Sequence, residues 1–195
     1  AWDGHSRPFY EVYYLKIHDP EANWVLWISY SLSTSKNILK DQASIHAIYV
    51  DKSGEKVILK QSFDLQKNDI VHTNQFIHLE NSFLSLAEAV GKIINEKQSL
   101  QWEFKFEDPV VSHRTYPYGF MYSQSYPKFK FLQPRMIGFA SGVLYVNGRK
   151  KEFKRFRVHQ GHAFGKDILP EWAWVNCIDF KAVSYTHLTL PTIRL

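Results

Sequence analysis

Cysteine is nearly absent from this chain, and the absence excludes several kinds of site. One of the 195 residues is a cysteine, Cys177, so no internal disulfide and no zinc site of paired thiolates can form. His159 and His162 lie close together, but no Asp or Glu stands at a ligand spacing from them. We therefore expect no metal and no other cofactor.

Long apolar runs are missing as well. No stretch has the uninterrupted apolar length that a membrane-spanning helix needs, and no signal peptide is recognisable. The sequence also contains no internal repeat, no low-complexity segment and no linker within residues 1–182. One domain is therefore expected, and the sequence indicates no particular compartment.

The last residues of the chain have an unusual source. Residues 183–195 resemble one reading frame of a common sequencing adapter, and we set them aside as cloning scars are set aside. On this interpretation the domain occupies residues 1–182 and is truncated at its C-terminal end. The alternative is a genuine strand, indicated by the alternation of residues 185–190.

The chain also has no large excess of positive or negative charge. The formal net charge is +5, or +4 without Arg194 (23 Lys and Arg against 19 Asp and Glu), which argues against a nucleic-acid partner. The densest basic run, residues 149–157, follows an Asn147-Gly148 turn and contains Phe153 and Phe156. We interpret it as a solvated hairpin strand. A site for an acidic lipid headgroup, with peripheral membrane contact, is the alternative.

Aromatic residues are what the chain has in quantity. They make up 16% of the sequence, within a hydrophobic content of 45%, which is enough for one domain with a substantial core. Such a composition favours a β-rich protein whose strands carry Trp, Tyr and Phe, or a protein with a ligand cavity lined by rings. The two interpretations are compatible.

The apolar pattern predicts a series of strands. Residues 9–17 and 24–32 predict a first antiparallel hairpin, and in its second strand Trp24 and Tyr30 share one face while Trp27 lies on the other. Further strands are predicted at residues 43–50, 56–63, 75–79, 100–106, 142–146, 151–158 and 172–180. A meander of this kind closes into a barrel or curls as a half-barrel, because closure removes exposed edges, so the predicted fold is all-β.

Two segments do not follow this rhythm. Residues 85–97 have apolar residues at helical spacing, which by pattern alone predicts a helix. Residues 108–134 contain four prolines among many rings, which predicts an extended loop across a barrel end and not a central strand. The rings of this loop either form a lid or fill the core, and the sequence leaves both interpretations open.

The most informative segment begins at His159 and continues past residue 170. Polar groups alternate there with large rings, so the segment can both hold an apolar ligand and place a proton donor beside it. The polar members are Gln160, His162, Glu171 and Asn176, and the rings are Phe164, Trp172 and Trp174. Gly161, before His162, is expected to permit a tight bend.

The order Gln160-Gly161-His162-x-x-Gly165 followed by Trp172-x-Trp174 resembles the signature of a lipocalin-like family that includes carotenoid 1,2-hydratases (hydroxyneurosporene synthases), tocopherol cyclases and AttH-type proteins. The resemblance implies a lipocalin-like barrel or half-barrel, the N-terminal of two such domains, and a strand at residues 85–97, which we prefer. The chain departs from the family at Ala163-Phe164, where members carry Asn-Trp.

Members of that family hydrate a carotenoid double bond or close a chromanol ring on a prenylated quinol, so the resemblance implies a hydratase-like or cyclase-like activity of lyase or isomerase type. Both reactions begin by protonating an alkene, and a carboxylic acid whose pKa is raised by burial would serve, with ring faces stabilising the cation. The candidate catalytic residues are His162, Glu11 and Glu171, with Asp167 next. The candidate ligand-binding residues are Trp24, Trp27, Tyr30, Gln160, Phe164, Trp172, Trp174 and Asn176.

Each of these assignments has an alternative. His162 is equally explained as a structural histidine bonded to backbone, and Glu11 as an exposed residue on the outer face of its strand. The whole chain is also explained as a non-catalytic lipocalin-like binding or structural module, or as a carbohydrate-binding sandwich, which would need aromatics exposed on one flat face. Whether it is an enzyme stays open; the expected partners are an apolar small molecule and a second barrel domain.

Overall fold

The structure is a computed structural model that describes residue 2 and residues 4–19, 23–65 and 75–166, with the backbone alone for residues 75 and 108–110. Strands dominate this part of the chain. They are β1 Phe9–Asp19, β2 Trp24–Thr34, β3 Gln42–Asp51, β4 Lys56–Asp64, β5 Gln75–Leu79, β6 Ser82–Ser85, β7 Glu88–Ile94, β8 Ser99–Arg114, β9 Phe129–Val146 and β10 Arg149–Gly165. Two short 3₁₀ helices, Ile38–Lys40 and Gly119–Tyr122, lie in connections. None of the described helices is long and apolar enough to cross a membrane.

The described strands form one antiparallel sheet of ten strands, in the order β4-β3-β2-β1-β10-β9-β8-β7-β6-β5. Strands that are consecutive in sequence lie side by side, except β4 and β5, and at the centre of the sheet β10 returns to pair with β1. β4 and β5 are the edges and do not pair, but the sheet curls until the side-chain amide of Gln98 donates to the carbonyl of Lys56 at 3.1 Å. The predicted all-β fold is confirmed, and it is a half-barrel.

The interior of the half-barrel is packed with side chains. On β1 the inward residues Tyr13, Leu15 and Ile17 are buried, and the outer-face residues between and beside them are half-buried apart from the buried Tyr14. Trp102 and Tyr30 are fully buried in the same core, and the indole N–H of Trp102 donates to the Tyr30 hydroxyl at 3.2 Å. Each fully buried large apolar side chain contributes about 1.5–3 kcal/mol, so this interior is the main source of stability.

The hairpin predicted at Asn147-Gly148 is confirmed. Both residues have positive φ, 50° and 79°, as a two-residue turn matched to the twist of its strands requires. The turn joins β9 to β10, and Val146 pairs with Arg149 across it. The basic run that follows lies on β10 with most of its charges exposed and Phe153 buried, as expected of a solvated hairpin strand.

Residues 88–94 form strand β7, so the preferred interpretation of this segment is confirmed and its helical spacing did not decide its structure. Gly91 explains part of the outcome. A Cβ at this position would lie 2.3 Å from the indole of Trp102, the residue opposite it on β8, so the missing side chain lets the largest core residue lie flat against β7. Tertiary packing therefore overrode local periodicity.

The prediction of one long loop over residues 108–134 is wrong at both ends. β8 continues through Pro109 to Arg114, and β9 begins at Phe129 and runs through Pro134. Both prolines lie where the regular pairing of the strands is interrupted. Pro109 lies between the pairs Glu107/Phe139 and Val111/Ile137 of β8 with β9. Pro134 lies in the register shift that precedes Arg135 on β9. Irregular pairing accommodates a residue without an amide hydrogen, so frequent proline does not exclude a long strand.

What remains of that loop is residues 115–128. Tyr118, Phe120 and Tyr126 are exposed there, so these rings do not fill the core. Tyr116 is held by the loop itself, since its hydroxyl donates to the carbonyl of Phe129 at 3.0 Å. The short strand β6 had no counterpart in the predicted series, and the strand predicted at residues 172–180 lies outside the described residues.

Candidate functional site

Glu11 and His162, the first two catalytic candidates, are in direct contact. Pairing of β1 with β10 sets Tyr13 opposite His162 and Glu11 opposite Phe164, with all four side chains on the inner face. The Nε2 atom of His162 lies 2.7 Å from Oε1 of Glu11, and both residues are buried. The alternative of an exposed Glu11 on the outer face is therefore excluded.

Glu11 is held as a carboxylate. Burial by itself would raise the pKa of Glu11, but the hydrogen bond from His162 and the charge of that ring, with smaller effects that include the amide of Trp2, outweigh burial and lower the pKa to about 2. The Tyr13 hydroxyl donates to Oε1 at 2.9 Å, and the Trp2 amide donates to Oε2 at 2.9 Å. The expectation that a dry pocket keeps this acid protonated is wrong for Glu11, because three donors surround its oxygens.

Because Glu11 is deprotonated, one proton of His162 can be assigned to a particular ring nitrogen. A carboxylate can only accept, so the hydrogen of the 2.7 Å contact belongs to Nε2 of His162. The ring is therefore held in one orientation by its partner, as the histidine of a carboxylate–histidine dyad is. Burial, with the neighbouring Glu11, raises the pKa of the Tyr13 hydroxyl, which stays a donor.

The pair sits in a column of stacked rings. The imidazole of His162 stacks on Tyr13 with centroids 3.8 Å apart and on Phe164 at 4.6 Å, and Tyr13 stacks in turn on Phe76 at 5.4 Å. The ammonium group of Lys130 lies 5.8 Å from the Phe164 centroid and closes the column as a cation over a ring face. Burial, with a smaller effect of Lys166, lowers the pKa of Lys130.

Gly161 does not make the bend that the sequence suggested. It lies within β10, on the outer face, and a Cβ there would lie 2.1 Å from the Tyr14 ring. The Tyr14 hydroxyl is 3.2 Å from Nε2 of His159, whose Nδ1 is 3.0 Å from the carbonyl of Met136. The missing side chain of Gly161 thus makes room for a second Tyr–His contact on the opposite side of the sheet.

His159 and His162 therefore point to opposite faces, which removes the simplest way for them to share a metal. Within residues 2, 4–19, 23–65 and 75–166 no group of three or more His, Cys, Asp or Glu side chains could hold a metal ion. Burial lowers the pKa of His159, which suits a neutral structural ring.

Gln160 lies on the inner face beside this site and positions a turn. Its Nε2 donates to the carbonyl of Ser85 at 3.0 Å, while its Oε1 has no hydrogen-bond partner among the described residues. Arg135, directly opposite on β9, is buried and donates to the carbonyls of Leu86 at 2.8 Å and Glu107 at 2.7 Å. Sequence reasoning missed Arg135, because nothing in its local pattern distinguishes a buried arginine from a solvated one.

The predicted ring-lined ligand surface is only partly assembled. Trp24 and Tyr30 belong to the packed core: Trp24 contacts Tyr49, Phe153 and Phe156, and the Tyr30 hydroxyl donates to the carbonyl of Phe83 at 3.3 Å. Trp27 lies half-buried on the outer face and cannot line the same interior. Phe164 alone of the described candidate rings contacts His162. The candidates Asp167, Glu171, Trp172, Trp174 and Asn176 lie outside the described residues.

A cleft of about 370 Å³ lies at the other end of the half-barrel. Its lining includes Asp19, Asp51, Lys52, Lys151 and Glu152 beside Trp24 and Phe156. Charges of both signs dominate this surface, and it does not include His162. The cleft is therefore separate from the Glu11–His162 site.

The open antiparallel sheet is a lipocalin-like half-barrel. No protein-family model matches the chain, and no curated protein matches its sequence. Solved structures do match. A provisionally assigned AttH from Nitrosomonas europaea superposes with a TM-score of 0.53 at 11% identity, over 83% of this chain and 52% of that one.

CghA, in its crystal structure with Sch210972, is also similar, with a TM-score of 0.50 at 8% identity over 82% of this chain and 46% of CghA. CghA solved without that compound matches equally, with a TM-score of 0.50 at 7% identity. Identities this low show the fold alone. The chain spans about half the length of these structures.

Proposed function

We propose that this chain binds an apolar, isoprenoid-type small molecule at the end of the half-barrel that contains Glu11 and His162. The observation that carries the proposal is a buried carboxylate–imidazole pair set inside a column of aromatic rings. Rings supply apolar contact and the pair supplies oriented polarity, the combination found in small-molecule sites. One structural neighbour was solved together with a small molecule, which agrees with this proposal.

Binding without chemistry is the better supported of the two functions. Alkene protonation needs a strong acid, and the described candidate for that acid, Glu11, has its pKa lowered to about 2 and carries no proton at neutral pH. An imidazolium ion is a weaker acid than a carboxyl group, so His162 is a poor substitute. The packed interior also leaves the ligand to contact the ring column from the barrel end.

Acid–base catalysis is the second candidate, and one observation favours it. The 2.7 Å contact with Glu11 holds His162 in one orientation and engages its Nε2 proton, so Nδ1 is the nitrogen that would exchange a proton with a substrate, as in a carboxylate–histidine dyad. In that mechanism His162 would transfer the proton, Glu11 would be a positioning residue and the ring faces would stabilise positive charge on the substrate. Hydration or cyclisation of an activated alkene is the reaction type.

Ligand extraction tests the proposal directly. The purified protein, extracted with organic solvent and analysed by mass spectrometry, is expected to yield an apolar compound, and geranylgeraniol is expected to quench its tryptophan fluorescence on titration. Phe164→Ala removes a ring of the column and is expected to weaken binding about tenfold. Ile94→Ser, an exposed change at the other end of the half-barrel, is the matched control and should leave affinity unchanged. Equal affinities of all three proteins would contradict this placement of the ligand.

A second experiment separates binding from catalysis. Wild type, His162→Ala and Glu11→Gln are incubated with the extracted compound, and the products are followed by chromatography and mass spectrometry. Bound ligand with no conversion by wild type supports the binding function. Conversion that His162→Ala abolishes, and that Glu11→Gln slows with a displaced pH profile, supports acid–base catalysis with Glu11 as the positioning residue.

We further propose that a second barrel domain forms the other wall of the site. The chain spans about half the length of its structural neighbours, and its sheet has two unpaired edges among the described strands. A longer version of the protein that includes such a domain is expected to bind the extracted compound more tightly than this chain, because the ring column would then be covered from both sides. Equal affinity would contradict a shared site.

A further inference from the structure

The connections at one end of the half-barrel expose an unusual set of side chains. β1 and β10 have their Glu11 and Phe164 at this end, where the β2–β3 connection, residues 35–41, and the β8–β9 connection, residues 115–128, also lie. Five large apolar side chains are exposed on these two connections. They are Ile38 (52% exposed), Leu39 (79%), Tyr118 (62%), Phe120 (61%) and Tyr126 (77%).

Among the described residues, the exposed charges on and directly beside these two connections are positive. Lys36 and Lys40 flank Ile38 and Leu39, and Arg114 and Lys128 flank the aromatic connection; all four are exposed. The sequence from residue 109 to residue 151 contains no Asp or Glu. At this end Asp41 is buried in an ion pair with Arg7, and Asp64 at the end of β4 is the exposed acid among the described residues.

We propose that this end docks on the surface of an anionic lipid bilayer. The docking face consists of Ile38, Leu39, Tyr118, Phe120 and Tyr126 with the cations Lys36, Lys40, Arg114 and Lys128. Tyrosine and phenylalanine rings partition to the boundary between headgroups and acyl chains, and each lysine or arginine beside them attracts acidic headgroups. The combination matches an anionic bilayer in polarity and in charge, whereas a neutral apolar partner would leave the cations without a counterpart.

The stacked rings of Tyr118 and Phe120 strengthen this assignment. Their centroids are 5.7 Å apart with an interplanar angle of 16°, so they form one continuous apolar projection at the 3₁₀ turn of residues 119–122. The guanidinium of Arg114 lies 5.9 Å from the ring of Tyr122 behind them. By contrast, the hairpin turns at the other end, residues 51–55, 95–98 and 147–148, are built from polar residues and glycine.

Docking in this orientation would bring the Glu11–His162 site to the membrane. Lys130 follows the aromatic connection directly and lies over Phe164, which stacks on His162. A ligand dissolved in the bilayer would then reach the ring column without crossing water. In this respect the inference rests on the proposed function, and it names the bilayer as the source of the ligand.

Vesicle sedimentation tests the docking without any ligand. The purified chain is mixed with vesicles of phosphatidylcholine alone, or of phosphatidylcholine with phosphatidylserine, and the bound fraction is measured at low and high salt. We expect binding to the mixed vesicles, little binding to the neutral ones, and weakening as salt rises. No binding to the mixed vesicles, or equal binding to both kinds, would overturn the proposal.

Two pairs of variants locate the contact. Tyr118→Ser combined with Phe120→Ser is expected to weaken binding at least about tenfold, while Ile94→Ser, equally exposed (59%) at the other end, changes nothing. Lys36→Gln and Lys40→Gln are each expected to weaken binding about fivefold, and Lys52→Gln, on a hairpin turn at the opposite end, is their control. Equal losses in the controls would overturn the proposed face.

A self-association measurement distinguishes a second occupant. If the chain is dimeric without vesicles, and Tyr118→Ser with Phe120→Ser makes it monomeric, the face is an interface between copies and the membrane proposal is overturned. The vesicles contain no isoprenoid and the ligand titration contains no vesicles, so the two experiments are independent. A variant that no longer docks on vesicles is still expected to bind the ligand in solution. Failure of the ligand titration likewise leaves the docking result standing.

Discussion

At the scale of single residues, the protonation state of Glu11 depends on three donors. His162, Tyr13 and the amide of Trp2 all donate to its oxygens, and His162 contributes most to the lowering of its pKa against the effect of burial. The sequence around Glu11 is compatible both with a buried acid and with an exposed residue on the outer face of the strand. Whether the acid is charged depends on His162, which lies 151 positions along the chain.

Replacing Glu11 by glutamine should destabilise the protein. The amide keeps the size of the side chain but removes the negative charge opposite a buried ring, and breaking a buried charged pair costs about 3 kcal/mol. Urea unfolding at neutral pH measures the loss. Glu152→Gln breaks the exposed pair with Lys150 and serves as the control, with no change expected. A loss no larger than that of the control would contradict a charged Glu11.

The same carboxylate predicts how stability changes in acid. The pKa of Glu11 falls from the ordinary value of 4.5 to about 2 on folding, so its contribution is fully present above about pH 4.5 and is lost as pH falls towards 2. The free energy of unfolding of wild type should therefore decrease over that window more steeply than that of Glu11→Gln. Parallel curves from urea titrations across this range would show that Glu11 is not responsible.

At the scale of elements, the position of most strands is set by their local sequence, whereas the irregularities in their pairing depend on the neighbouring strands. The alternation of β1 and β2 and the Asn147-Gly148 turn are local properties, so they could be predicted from the sequence. The continuation of β9 through Pro134 could not, because a proline is tolerated there only if the opposite strand accepts a register shift. β10 is the clearest example of such a dependence on a neighbouring strand, since the missing side chain of Gly161 makes room for the ring of Tyr14 on β1.

Gly161→Ala tests that contact between β10 and β1. The new methyl group would lie 2.1 Å from the Tyr14 ring and should cost about 2–3 kcal/mol, read from urea unfolding. Gly119→Ala is the matched control, because its Cβ would meet nothing closer than Arg114 at 3.8 Å. In a Tyr14→Ala background the same substitution at Gly161 should cost much less. An undiminished cost there would mean that Tyr14 is not the obstacle.

At the scale of the whole molecule, the chain returns to its beginning. β10 pairs with β1 at the centre of the sheet, and this closure sets Glu11 beside His162 and completes the ring column. Such pairing has large sequence separation, so it must form late relative to the local hairpins. The site therefore depends on the complete sheet and not on either of its strands.

Amide hydrogen exchange should show that the central strands are more strongly protected than the edge strand and the connection at residues 115–128. Amides of β1 and β10, paired on both sides, should exchange only by global unfolding, whereas β4, an edge strand, should exchange faster and residues 115–128 fastest. Mass spectrometry of peptic peptides resolves the three groups. Glu11→Gln should lower the protection of β1 and β10 more than that of β3. Protection of β4 equal to that of β10 would contradict the strand order.

The sequence by itself determined most of the strands and their hairpins, because side-chain alternation and turn chemistry are properties of neighbouring residues. It named Glu11 and His162 as candidates without indicating that they are in contact. It also indicated the lipocalin-like type through the segment at Gln160-Gly161-His162. Only the tertiary structure decided that Glu11 is a carboxylate, that Trp27 lies outside while Tyr30 is packed inside, and that Gly161 accommodates Tyr14. Charge state and packing depend on groups that the fold brings together from distant positions, and no local pattern carries that information.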